Sequence, residues 1–178
     1  MTIIDLTLPL YTGMPVYPGD PEVSIELIQT IKNNGWNLRR LKLNSHDGTH
    51  VNVPSHSVEG GKTLDDYDLS QFCGPARIYE DRTPMSPKGG VLFRDQNIDD
   101  GMAEKIIEQR PRFVGLSCLY QLDEMIEKRL LAAGIISFEG LANLERLPAS
   151  FQFYGMPLNI RGGDGSPVRA FAVVDGAA

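Results

Sequence analysis

At 178 residues the chain has room for one domain with a sizeable core and not for two comfortable ones. Its 42% apolar and 22% charged residues argue against disorder, and a net charge of −6 without a Lys/Arg cluster argues against a nucleic-acid surface. No apolar run approaches the roughly 20 residues of a membrane span.

The first half reads as strands. Ile3 to Leu10 alternates apolar and polar residues, then Gly13, Pro15 and Pro18-Gly19-Asp20-Pro21 supply turn signals. Val23 to Ile31 carries Val23, Ile25 and Leu27 at period two, the pattern of a half-buried strand, and Trp36 to Asn44 repeats it. Arg39, Arg40 and Lys42 there are a solvated strand face. Gly74 to Tyr79 and Gly90 to Phe93 are further short strands. Helices enter in the second half: Met102 to Glu108 behind Asp99-Asp100, whose charge suits a helix start, and Leu122 to Ala133, with Gly134 as its stop. Arg112 to Leu116, Ile135 to Phe138, Pro157 to Ile160 and Val168 to Val174 complete the strands, the last two around the tight turn Gly162-Gly163-Asp164-Gly165. The sum is a mixed α/β domain over residues 1–178, strand-rich with about two main helices.

The N-terminus, Met1-Thr2-Ile3-Ile4-Asp5, lacks the basic-then-apolar pattern of a signal peptide, and the two cysteines, Cys73 and Cys118, have neither metal nor framework spacing. A cytoplasmic protein with both thiols as buried packing groups is the expectation.

All three histidines fall within eleven residues, His46-Asp47-Gly48-Thr49-His50-Val51-Asn52-Val53-Pro54-Ser55-His56. Thr49, Val51, Val53 and Pro54 oppose a helix. In an extended chain positions 46, 50, 52 and 56 share one face. A straight strand would nevertheless hold the Cα atoms of His46 and His50 roughly 13 Å apart, near the limit for two imidazoles on one ion. Gly48 is therefore expected to bend the chain, and Pro54 to end the ladder and swing His56 towards the others. The plainer alternative is three ordinary strand histidines.

The segment resembles the H-x-G-T-H-x-D-x-P-x-H signature of the cyclase family, which includes kynurenine formamidase and isatin hydrolase. The matching residues are His46, Gly48, Thr49, His50, Pro54 and His56. Further blocks resemble the family in order: Asp5 to Leu10, Met14 to Pro21, Leu130 to Ile135, Glu139 to Leu144, and Gly162 to Ala170. The resemblance implies a swivelling β/β/α domain, typically a homo-oligomer, and a divalent metal site of zinc or manganese with one or two ions. It places His46, His50, Asn52, Glu127 and Glu139 at ligand positions, His56 at the catalytic acid/base and Tyr17 near the substrate. Asn52 stands where the family has an aspartate and Glu127 where it has a histidine, an exchange that makes the donor set richer in oxygen and favours harder ions such as manganese or magnesium over zinc. Ser117 replaces a frequent aspartate. Each position has a plainer use: Glu127 as a surface carboxylate beside Lys128 and Arg129, Tyr17 as loop packing, and Asn52 as a partner of the turn backbone.

The activity implied is hydrolysis of a carbon–nitrogen bond in a small amide, formamide or lactam, with a small-molecule substrate and neither nucleic acid nor membrane as partner. Two alternatives stay open: a catalytically inactive relative that binds a metal or small molecule, and an ion that only stabilises the fold.

Overall fold

Residues 1–80 and 84–174 are described by the computed structural model. In chain order the strands and helices are β1 (Thr2–Asp5), β2 (Ser24–Gln29), the single turn α1 (Ile31–Asn34), β3 (Leu38–Lys42), β4 (His50–Asn52), β5 (Cys73–Ile78), β6 (Gly90–Phe93), α2 (Asp100–Gln109), β7 (Phe113–Ser117), α3 (Glu124–Ala132), β8 (Ile136–Leu141), β9 (Ser150–Tyr154), β10 (Gly165–Pro167) and β11 (Phe171–Val174). Nine strands form one curled half-barrel sheet in the order β1-β11-β9-β5-β6-β7-β8-β4-β10. β2 and β3 pair only with each other.

The centre of the sheet is parallel, β5 through β8, with α2 and α3 as the crossovers between β6, β7 and β8. Strands covered on both faces read as unbroken apolar runs, and every residue of Gly90–Phe93 and Phe113–Ser117 is buried. One face packs α2 and α3 through Phe93, Val114, Ile106, Ile126 and Leu130. The other holds Phe113, Phe138 and Phe153 with ring centroids 4.9–5.4 Å apart. Both helices start on an aspartate that caps free backbone N–H groups: Asp99 accepts from Met102 N, and Asp123 from Met125 N and Ile126 N.

Four expectations change. Ser150–Tyr154, absent from the sequence reading, is a sheet strand whose alternate residues Phe151 and Phe153 are buried. Pro157 to Ile160 is not a strand; it contributes a single bridge, Pro157 to Val168. β3 is not half-buried, and the preceding strand is so only at its start, where Val23 is buried and Ile25 partly so; both stand away from the sheet and leave Leu27, Leu38 and Leu41 exposed. Cys118 is exposed and Cys73 partly so.

Register positions the site. In the antiparallel pair of β4 with β8, His50 lies opposite Glu139 and Asn52 opposite Ser137, so the period-two pleat puts all four on one face. α3 lies over that face and carries Glu127. β10 pairs on the other side of β4, with Gly165 opposite Asn52, and brings Asp164 to the strand's edge.

Candidate metal centre

His46 and His50 come together because the backbone reverses at Gly48, whose φ of +65° lies in the region that glycine enters without strain. The two rings meet edge to face with centroids 5.4 Å apart. Pro54–His56 forms one 3₁₀ turn after β4 and lays His56 against His46 at 3.9 Å between centroids. Gly165 permits the closeness: a Cβ there would stand 2.5 Å from His46 Cε1 and 2.7 Å from Val51 O.

Each ring has defined partners. His50 Nδ1 lies 3.0 Å from Gly48 O and donates to it, which leaves Nε2 bare, 3.9 Å from Glu139 Oε1. That separation is within reach of two bonds of about 2 Å to a common ion. Burial pushes the His50 imidazole down to about 4, despite its bond to Gly48 O, so it stays neutral, as a ligand must be. His46 has oxygen on both sides: Asn52 Oδ1 at 2.7 Å from Nδ1 and Asp164 Oδ2 at 2.9 Å from Nε2. His56 lies between two carboxylates, Asp164 Oδ2 at 3.6 Å from Nδ1 and Glu127 Oε2 at 3.6 Å from Nε2. Its side chain is the most exposed of the three, 31% against 20% for His46 and 13% for His50.

Behind the histidines lies a buried carboxylate pair. Glu127 is buried, against the surface alternative, and shares a hydrogen bond with Glu139. Burial, and then the charge of Glu127, push the Glu139 carboxyl up to about 8. Asn52, 1% exposed, donates from Nδ2 to Glu127 Oε1 and, at 2.8 Å, to Glu139 Oε1. Its partners are therefore side chains and not the turn backbone.

The sequence reading missed Asp164, taking its segment as a turn alone. Burial would raise this carboxyl, but the hydrogen bond and charge of His46 outweigh that and hold it below the usual range. The donor atoms of His46, His56 and Asp164 lie within 4.8 Å of one another, a group able to grip a cation. The available signal was an aspartate flanked by glycines in a chain whose histidines cluster elsewhere.

These groups line a cleft of about 970 Å³. Its rim carries Tyr11, Tyr17 and Tyr120, with Met14 buried in its wall; Tyr17 is 49% exposed and donates its hydroxyl to Glu124 Oε1. Glu127, Glu139 and the three imidazoles line it with no lysine or arginine among the described lining residues, and Asp164 reaches His46 and His56 from beside it. A partly buried acidic cluster without a fixed cation suits a divalent ion, and the mixed nitrogen and oxygen donors fit zinc or manganese chemistry. Among the described residues no helix is long and apolar enough to cross a membrane.

Known proteins bear on the same cleft. The family model described as "Putative cyclase" matches residues 4–117. A kynurenine formamidase from Salinibacter ruber is 29% identical, with 96% of each chain covered. A structure described as a potential metal-dependent hydrolase with cyclase activity is 25% identical, with a TM-score of 0.75 and 96% of each chain covered. Isatin hydrolase A from Labrenzia aggregata, 22% identical, shares the fold at a TM-score of 0.78 over 96% of this chain and 93% of that one. The chain belongs to the cyclase family and, with these relatives, to the metal-dependent hydrolases.

Proposed function

We propose that the chain hydrolyses the carbon–nitrogen bond of a small amide, formamide or lactam, with His56 as general acid and base. The observation that carries this reading is the convergence of three imidazoles with Glu127 and Glu139 in a cleft lined by no lysine or arginine among the described residues, with Asp164 beside His46 and His56. His46, His50 and Glu139 would hold a divalent ion, zinc or manganese, with Asp164 as a further donor from the loop side. When bound, such an ion polarises a carbonyl and lowers the pKa of a water towards neutrality.

The chain's own groups handle the proton. His56 is the most accessible imidazole, and a carboxylate faces each of its nitrogens, so the positive ring formed on taking a proton is stabilised where it forms. The same ring returns the proton to the leaving nitrogen. Tyr11 and Tyr17 offer flat apolar surface in the cleft, with Met14 buried in its wall, which suits a substrate with an aromatic ring, as in the names of the kynurenine formamidase and isatin hydrolase relatives.

The test is turnover of N-formyl arylamines and cyclic amides by purified protein before and after chelation. Turnover that vanishes with the ion and returns with Mn²⁺ or Zn²⁺ is the expected result; a metal-loaded protein inert across the panel overturns the reading and favours a binding module.

The same reading places the enzyme in the cytoplasm, consistent with its unpaired thiols, and in a homo-oligomer. In support of the latter, the β2–β3 arm is a lone hairpin, marginal by itself, with Trp36 60% and Leu41 56% exposed. Light scattering that finds monomers at micromolar concentration would refute the oligomer alone.

A further inference from the structure

The Asn52 carboxamide is placed between acids. Its Nδ2 donates to Glu127 Oε1, to Glu139 Oε1 at 2.8 Å and to Ser137 Oγ at 3.3 Å, while its Oδ1 faces His46 Nδ1 at 2.7 Å. Only the NH₂ end can face the carboxylate pair, since the carbonyl end turned that way would set acceptor against acceptor. Two buried carboxylates so close repel each other unless something electropositive, beyond the one hydrogen bond they share, stands between them. Here the amide hydrogens do.

This clamp uses up Glu127. Its Oε1 receives Asn52 Nδ2 and, at 3.2 Å, the Ser137 hydroxyl, and its Oε2 faces His56 Nε2 at 3.6 Å. Glu139 differs: its Oε1 takes the amide and also stands 3.9 Å from the bare His50 Nε2, so this carboxylate still reaches the histidines.

We propose that the cleft holds a single divalent cation on His46, His50 and Glu139, that the Asn52 amide occupies the place a second cation would take, and that Glu127 is a positioning residue for His56. This rests on the hydrolase reading above. A carboxylate in place of the amide would add an anion to the pair and remove the N–H donors of Asn52, leaving Glu139 the Leu122 backbone N–H, so position 52 decides how many cations the buried acids need.

The experiment is calorimetric titration of metal-stripped protein with Mn²⁺, with elemental analysis of the loaded, desalted protein. The parent takes up one ion per chain, and Asn52→Asp takes up two. Glu127→Gln keeps one ion with affinity close to the parent's, whereas Glu139→Gln weakens binding more than about tenfold. In turnover, Glu127→Gln lowers kcat by about tenfold or more with KM and ion content unchanged, the signature of a partner to the proton carrier. Two ions in the parent, one ion in a folded Asn52→Asp, or equal losses of affinity in Glu127→Gln and Glu139→Gln would overturn this proposal and leave the hydrolase standing. A protein that takes up no ion overturns both.

Discussion

His50, Asn52, Glu127 and Glu139 stand on β4, α3 and β8, where ladder bonds, helix bonds and packing on both sheet faces set their positions. His46, His56, Asp164 and Tyr17 stand opposite, on turns and loops, and are the more exposed set. The sheet-held half is dry and acidic and carries the neutral imidazole and the paired carboxylates. The loop-held half carries the solvent-reaching imidazole between two acids. The division separates tasks: groups that grip a cation need fixed geometry and burial, whereas a proton carrier needs access to solvent and substrate.

The comparison breaks most sharply at His56. Its replacement by alanine should leave the ion in place, because His46, His50 and Glu139 remain, and cut kcat by about 10²–10⁴-fold. Elemental analysis beside steady-state kinetics checks it; an ion lost together with activity would mean that His56 is itself a ligand.

Gly165 joins the halves, and its replacement tests whether they act as one unit. The added Cβ meets His46 Cε1 and Val51 O, the latter backbone that cannot move aside. Gly165→Ala should cost about 1–3 kcal/mol of stability by denaturant melts, the usual range for overpacking, and weaken the ion through His46. Stability lost with ion affinity intact would place His46 outside the ligand set.

The two halves also differ in how far residues alone disclose them. Strand alternation, the Gly48 bend and the carboxylate after an apolar strand mark the sheet-held half, since each follows from period, φ freedom or the need of a buried charge for a partner. Asp164 is invisible at that level because nothing local says that a Gly-Asp-Gly turn lies beside a histidine 118 positions away. Only the pairing of β10 with β4 does. The arm differs for the opposite reason: Val23, Ile25 and Leu27 alternate as in a buried strand, but alternation records a face that wants cover and does not say how far the same chain supplies it, and here cover reaches Val23 and part of Ile25 but not Leu27. β9 shows the converse, a clear Phe151/Phe153 alternation passed over between two turns.

Tyr17 sharpens the loop-held half at smaller scale. It touches no described metal-centre residue by hydrogen bond, only Glu124. Tyr17→Ala should raise KM about three- to tenfold with kcat nearly unchanged, the mark of uniform binding, and Tyr17→Phe should restore most of the affinity if the ring, not the hydroxyl, walls the cleft.

The smallest effect lies outside both halves and provides their baseline. Asp5, at the end of β1, receives Arg169 Nε at 3.1 Å and Nη2 at 2.5 Å, joining that strand to the segment before β11. Slight burial alone would raise its carboxyl, but the bonds from Arg169 and Thr7 outweigh it and hold the carboxyl below the usual range. A carboxyl lowered by folding contributes stability above its unfolded value near 3.8 and loses it as pH falls through the folded value. Asp5→Asn should therefore shift the melting temperature downward at pH 7, only slightly because exposed pairs are screened, and by less as pH falls below the unfolded value near 3.8. Ion affinity and turnover should be unaffected at neutral pH, since the Asp5 carboxyl bonds to Thr7 and Arg169 and to no residue of the metal centre. A change in either would mean that the cleft's geometry is coupled through the whole sheet, and then the sheet-held half could not be treated as a rigid frame for the loop-held one.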